Sequence, residues 1–287
     1  MKKGLLEKIK NTVSTLCKEA NYGIREDIFE ALCQAEKEEK EELPKFILST
    51  LIENINISRE EKIPVCQDTG MAEVFVEVGK GVKIEGILLK KNILEGVKEG
   101  YEEGNLRKSV VKDPLFSRKN TGDNTPPLIH LSFSPLLEKE IKIIVFPRGF
   151  GAENMGKVAM LNPQEGREGV KRFVLGAIRE AGANPCPPII VGIGIGGTMQ
   201  TSMFLAKKAL LRPIKIRNPH PKYALLEKEL LKEINDLRIG AQGMGGMNTC
   251  LGVNIEHFPT HIAGLPLAVN ISCYALREAQ KVIRVSS

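Results

Sequence analysis

Ile189-Ile190-Val191-Gly192-Ile193-Gly194-Ile195-Gly196-Gly197-Thr198 carries an uninterrupted apolar segment into a dense string of glycines, and a helical pattern follows from about Met199 to Leu211. Asn184-Pro185-Cys186-Pro187-Pro188 precedes it as a turn, so the apolar run reads as a strand buried on both faces. A buried strand passing through a Gly-rich turn into a helix is a unit of α/β architecture. Gly192, Gly194 and Gly197 formally match the G-x-G-x-x-G of a dinucleotide-binding turn. The acidic residue expected about 20 positions later is missing, because that region reads Lys215-Ile216-Arg217-Asn218-Pro219-His220-Pro221. What survives is a Gly-rich turn at a helix start, suited to an anionic group.

Working outward, the neighbouring segments carry clear periods. Residues 165–181 place Val170, Phe173, Val174, Ala177 and Ile178 on one helical face, with Gly182 as a C-cap. Residues 86–103 do the same with Leu89, Ile93, Val97 and Tyr101, and a charged helix is expected over about 222–236. The stretch 5–57 reads as helices around Leu5 to Ala20, Ile28 to Cys33, and Pro44 to Ile55. Strands are expected where Val74, Val76 and Val78 alternate with Glu73 and Glu77, and over 249–256. Strands at 128–133 and 141–146 read as an antiparallel pair joined through Ser134-Pro135, and Ala275-Leu276-Arg277 as a short terminal helix. The expected fold class is α/β, a helical N-terminal region followed by a mixed, partly antiparallel sheet packed with helices. One domain is expected over 1–287, with 1–57 as its helical part.

The chain has 287 residues, 42% hydrophobic and 26% charged, long enough to bury a sizeable core. Forty-one basic residues interleave with 35 acidic ones, and aromatics are only 5%, which argues against nucleic-acid binding. The N-terminus Met1-Lys2-Lys3-Gly4-Leu5-Leu6-Glu7-Lys8 lacks the continuous apolar core of a signal peptide, and no stretch approaches a membrane span. A cytoplasmic location is therefore expected, where six cysteines are no disulfide framework. Cys17, Cys33 and Cys250 fall among apolar neighbours and read as core.

Pro64-Val65-Cys66-Gln67-Asp68-Thr69-Gly70 packs a thiol, an amide, a carboxylate and a hydroxyl into consecutive positions of a turn. Arg148 to Lys157, containing Gly149 and Gly151, could form a nest of backbone N–H groups for an anion. The loop from Gly104 to Pro127 is long enough to suggest function, and the run Arg238 to Met247 implies tight turns or close backbone approach. Cys66, Cys186 and Cys273 each stand in a turn or at a strand end, and none belongs to a C-x-x-C pair. Spacing leaves two readings: three core cysteines, or three thiolates around an iron–sulfur cluster with one iron open as a Lewis acid. A zinc site using cysteine and histidine, and a non-catalytic anion- or nucleotide-binding module, are readings of other classes.

The strings Val65–Gly70, Asn105-Leu106-Arg107, Gly182–Pro188, Gly192–Thr198 and His261–Cys273 resemble, in order and over nearly the whole chain, the class I (iron–sulfur) fumarate hydratase and L-tartrate dehydratase family, specifically its α subunit. The resemblance implies a [4Fe–4S] cluster on Cys66, Cys186 and Cys273. It implies reversible hydration of a dicarboxylate, fumarate to L-malate being the first expectation and L-tartrate dehydration the alternative. Asp68 and His261 would move the hydroxyl proton, Gln67 and Arg107 would orient the substrate carboxylate, and Gly149 and Gly151 would offer backbone contacts. His130, His220 and His257 are expected to be structural or solvent-facing. The fused members of the family continue well past the position matching Ser287, so a separate β subunit is expected, in an α2β2 assembly, with the lone chain inactive.

Overall fold

A computed structural model describes residues 2–285, with side chains from residue 4. The N-terminal helices form where the apolar period places them: α1 (Lys2–Asn21), α2 (Glu26–Glu38) and α3 (Glu42–Glu61). Glu26 and Asp27 open α2 and Lys37 closes it, so its charges oppose the helix dipole. The later helices are α4 (Gly86–Glu103), the single turn α5 (Phe150–Glu153), α6 (Gly166–Ala181), α7 (Met199–Ala209) and α8 (Pro221–Asn235). The strands are β1 (Met71–Gly79), β2 (Leu128–Ser134), β3 (Glu140–Arg148), β4 (Lys157–Leu161), β5 (Ile189–Gly196), β6 (Cys250–Phe258), β7 (Leu265–Ser272) and β8 (Ala279–Arg284). The class is α/β as expected, but the strands form two sheets, β2-β1-β3-β8 and β4-β7-β5-β6. Each sheet belongs to one of two compact units: the first takes residues up to Arg25, Ile55–Gly149 and Arg277 onward, the second Glu26–Asn54 and Phe150–Leu276.

In the first unit Val74, Val76 and Val78 of β1 and Ile141, Ile143 and Val145 of β3 pack on Ile9, Val13, Ile93 and Val97 of α1 and α4. β2 and β3 are not a hairpin. Both hydrogen-bond to β1, β2 in parallel and β3 antiparallel. The two thoroughly buried strands, β1 and β3, take the interior of the sheet, while β2, with Leu128, Leu131 and Phe133 exposed, takes an edge. Glu73, expected on a polar face, is buried, its Oε2 3.1 Å from His130 Nε2, and His130 stacks on Phe75. The terminal helix is also absent: Ala275-Leu276-Arg277 is non-helical and leads into β8, which pairs with β3 and buries Ile283.

In the second unit β5 lies between antiparallel β7 and parallel β6. Val191, Ile193 and Ile195 face Val174, Ile178, Leu230 and Ile234 of α6 and α8. The alternate positions are glycines because α7 lies on them. A Cβ at Gly192 would stand 2.1 Å from Ala206 O, and one at Gly194 1.9 Å from Ser202 O. Two glycines of the dinucleotide-like motif are therefore strand residues selected by helix contact, and the Gly-rich turn shrinks to Gly196-Gly197. Thr198 then caps α7 by accepting from Thr201 N–H.

Candidate active site

The Cys66 turn joins α3 to β1 in the first unit and is held from several sides. Val65 N–H donates to Asn21 O (2.9 Å) and Gly70 N–H to Asp68 Oδ1 (3.0 Å), an Asx closure that fixes one carboxylate oxygen. Tyr101 OH donates to Thr69 O (2.9 Å) and Gly70 O (3.1 Å), and burial pushes its phenol up, so it remains a donor. Arg277, almost fully buried, donates through Nη1 to Asp68 O (2.6 Å) and Asn21 Oδ1 (3.0 Å). Gly70, at φ +74°, lies so close to β3 that a Cβ there would stand 2.6 Å from Arg148 C and O. Within this frame Cys66 and Asp68 are half-buried and Gln67 is exposed.

Two other expected site residues come to the same turn. Thr69 Oγ1 donates to Arg107 O (3.0 Å), leaving the Arg107 side chain exposed beside it. Asn124 ties that segment down, accepting from Ser109 N–H (2.7 Å) and Val110 N–H (3.2 Å) and donating to Gly70 O (3.1 Å). A methyl on Gly149 would stand 3.2 Å from Asp68 Oδ2 and 3.1 Å from Arg277 Nη2, so the Oδ2 edge of the Asp68 carboxylate lies against that glycine. Gln67, Asp68, Arg107 and Gly149 therefore share one locality with Cys66, all within the first unit.

In the second unit Cys186 sits just before β5 and Cys273 just after β7. The two strands are antiparallel neighbours, with Ile190 opposite Ser272, so both cysteines lie at one end of the pair. Tyr274 N–H donates to Cys186 O (3.4 Å). Cys186 is exposed at φ +52°, Cys273 is half-buried. The glycine run supports this loop: Gln242 donates to Pro187 O through both its backbone N–H (2.7 Å) and Nε2 (2.8 Å). Gly151, in α5, has Asn184 O as the nearest atom to its missing Cβ, at 3.6 Å.

The anticipated nest is corrected, and His261 lies at the far end of β7 from Cys273. No residue from Arg148 to Lys157 has positive φ, so no αR–αL nest of N–H groups forms there; the segment closes into the one-turn helix α5. His261, exposed in the β6–β7 connection, accepts from Ala263 N–H (3.2 Å) through Nδ1, and the adjacent Thr260 Oγ1 donates to Gly197 O (2.8 Å). That is the end of β7 away from Cys273. Eight strand residues separate the two, and at a rise of about 3.4 Å each β7 alone spans on the order of 24 Å.

Among the described residues no group of three or more His, Cys, Asp or Glu side chains stands close enough to hold one metal ion. Five of the six cysteines nevertheless fall into two chemical sets, and the sixth, Cys33, expected in the core, is half-buried on α2. Burial pushes the Cys17 and Cys250 thiols up to about 12, so neither yields a thiolate at neutral pH. Cys66, Cys186 and Cys273 stand on ordered turns outside the cores. Arg277, Tyr101, Asn124 and Gln242 carry much of the site's support and were not picked out as site residues by sequence reasoning, although Asn124 and Gln242 lay in the long loop and the glycine run that drew notice.

A profile of the fumarate hydratase (Fumerase) family matches residues 10–282. The chain is 46% identical over 284 residues to the putative L(+)-tartrate dehydratase subunit alpha of Methanocaldococcus jannaschii, spanning 98% of this chain and 99% of that protein. It is 34% identical over 261 residues to the L(+)-tartrate dehydratase subunit alpha of Escherichia coli K12, spanning 90% of this chain and 85% of that one.

Proposed function

Because the chain belongs to the fumarate hydratase family of hydro-lyases, we propose that it is the cluster-bearing α subunit of an enzyme that moves water on and off a four-carbon dicarboxylate. The observation that carries this is the turn itself, where Cys66, Gln67, Asp68, Arg107 and Gly149 gather on hydrogen bonds from Tyr101, Asn124 and Arg277. The dinucleotide-binding alternative loses its support, since Gly192 and Gly194 answer to α7.

The donor set fits a [4Fe–4S] cluster: three thiols on turns, distinct from the buried pair, with Cys186 and Cys273 neighbours at one sheet end. Ligands of a cluster bind different irons, so they need not meet at one atom. When bound, the cluster supplies an open iron that makes hydroxide a better leaving group. The remaining work falls to side chains. Arg107 offers a planar fork to a substrate carboxylate, and Gln67 an amide beside it. Asp68, whose Oδ1 is fixed by Gly70 N–H, supplies the carboxylate that carries the hydroxyl proton.

His261 enters differently. If Cys66 and Cys273 share a cluster, Asp68 is near Cys273, and the same copy's His261 is too far along β7 to exchange a proton with it. The proton partner of Asp68 is then His261 of a second copy, which agrees with two α chains in the assembly. A β chain supplies the base at carbon and further carboxylate contacts.

The relatives are named for L(+)-tartrate, and these names support reading tartrate, rather than the fumarate–malate pair, as the substrate. The test is anaerobic reconstitution with the β chain. The reading expects L-tartrate dehydration at least about tenfold faster than malate dehydration by kcat/KM, a preference of the size one well-placed hydroxyl contact can give. The reverse ratio would assign fumarate hydration instead. Full activity without the β chain would overturn the subunit reading.

A further inference from the structure

The long loop after Arg107 contains a second built feature, unconnected with water transfer. Val111 bridges Asn120, Lys112 N–H donates to Lys119 O (2.8 Å) and Thr121 N–H to Val110 O (2.9 Å), so residues 110–121 form a small hairpin. The Asp113 carboxylate caps its tip, accepting from Leu115 N–H (3.0 Å), Phe116 N–H (3.2 Å) and Ser117 N–H (2.8 Å). Arg118 Nη1 closes the other side on Pro114 O (2.5 Å). These backbone donors hold the Asp113 carboxyl down at about 2, so the cap is complete at neutral pH and is lost only as the pH falls toward that value.

The tip so ordered presents Leu115 at 70% and Phe116 at 87% exposure. Single exposed apolar residues need no explanation. Two adjacent ones on a turn locked by four hydrogen bonds differ, because the ordering cost of a binding loop has already been met in the free chain. An aromatic and an aliphatic side chain displayed rigidly have the character of interface anchors. Lys112, Arg118 and Lys119 surround them, against the single carboxylate of Asp113, which is occupied as the cap. The hairpin's base is fixed to the substrate-binding groups: Asn120 Nδ2 donates to Lys108 O (2.8 Å), and Asn124 joins Ser109 and Val110 to Gly70.

We infer that the 110–121 hairpin is a docking finger for the β chain, inserting Leu115 and Phe116 into an apolar pocket rimmed by carboxylates. This rests on the subunit reading above. A chain gripping this tip is held on the side of Arg107 and the Gln67–Asp68 turn, where its own catalytic groups are required. A second copy of this chain is the competing occupant, and it carries no argument from charge, since the finger's cationic surroundings call for an acidic rim.

The test compares affinity for the purified β chain between the parent and the double variant Leu115→Ser/Phe116→Ser, each reconstituted anaerobically. Both side chains are solvent-exposed, so the variant's melting temperature and iron content should equal the parent's. The expected result is a Kd raised at least about 30-fold, as for loss of a central anchor pair. Asp113→Asn, which keeps the apolar side chains but weakens the cap, should give a smaller rise. Lys119→Glu should weaken binding most at low salt. A double variant that binds within threefold of the parent overturns the finger and leaves the subunit reading intact. Failure of the parent itself to bind the β chain overturns both. Loss of self-association with β-chain binding unchanged would assign the tip to a second copy, and the inference would fail.

Discussion

Asp68→Asn is expected to lower kcat by about 10²–10⁴-fold while iron content and melting temperature stay at parental values. The substitution separates the two duties of this residue. Asparagine keeps an Oδ1 that accepts from Gly70 N–H, and the backbone carbonyl bound by Arg277 is untouched, so the turn keeps its shape. What is lost is the carboxylate's capacity to carry a proton beside the proposed cluster. Substrate binding, assigned to Gln67 and Arg107, should change little, so the loss belongs in kcat and not in KM. Asp68→Ala removes the Asx closure as well and should loosen the turn. A kcat within fivefold of the parent for Asp68→Asn would remove Asp68 from proton transfer.

The second large effect concerns His261. Alone, His261→Asn should be as damaged as Asp68→Asn. If Asp68 works with His261 of a second copy, mixing and re-associating the two inactive variants should recover activity, up to about a quarter of parental when exchange in a two-fold dimer is random. Half of the dimers are then mixed, and each mixed dimer has one intact site and one doubly damaged site. The length of β7 motivates this test, since it holds His261 and Cys273 at opposite ends of one strand. No recovery, under conditions where mixed dimers are shown to form, would place His261 outside the Asp68 reaction.

Much of the fold was legible because helix periods are local. The apolar stripe of 86–103 coincides with α4, and Gly182 ends α6 by donating to Ile178 O as its position suggested. Failures lie where the answer depends on distant residues. Nothing in 128–146 says that β1, some 50 residues earlier, will take the place between β2 and β3. The glycines of β5 look the same whether a phosphate or a helix approaches them, and only the contact with Ser202 and Ala206 decides. The anticipated nest failed for a similar reason, because glycine permits positive φ without requiring it.

The site divides the same way. Cys66, Gln67 and Asp68 were readable as a dense polar turn, and Arg107 as part of a motif. Their supports were not, because Tyr101, Asn124 and Arg277 reach the turn from 31 to 209 positions away in the chain. A buried arginine bonded to a carbonyl leaves no local pattern. Strand geometry sets His261 and Cys273 at opposite ends of β7, which no local pattern in the sequence announces.

The proposal that Cys66, Cys186 and Cys273 together hold one iron–sulfur cluster is decided by iron and acid-labile sulfide measured after anaerobic reconstitution. The parent chain should be brown and carry about four of each. Cys66→Ala, Cys186→Ala and Cys273→Ala should each lose most of that content, while Cys33→Ala keeps it. A parent chain that stays colourless and iron-free, or three cysteine variants that retain the parental iron, would contradict the account.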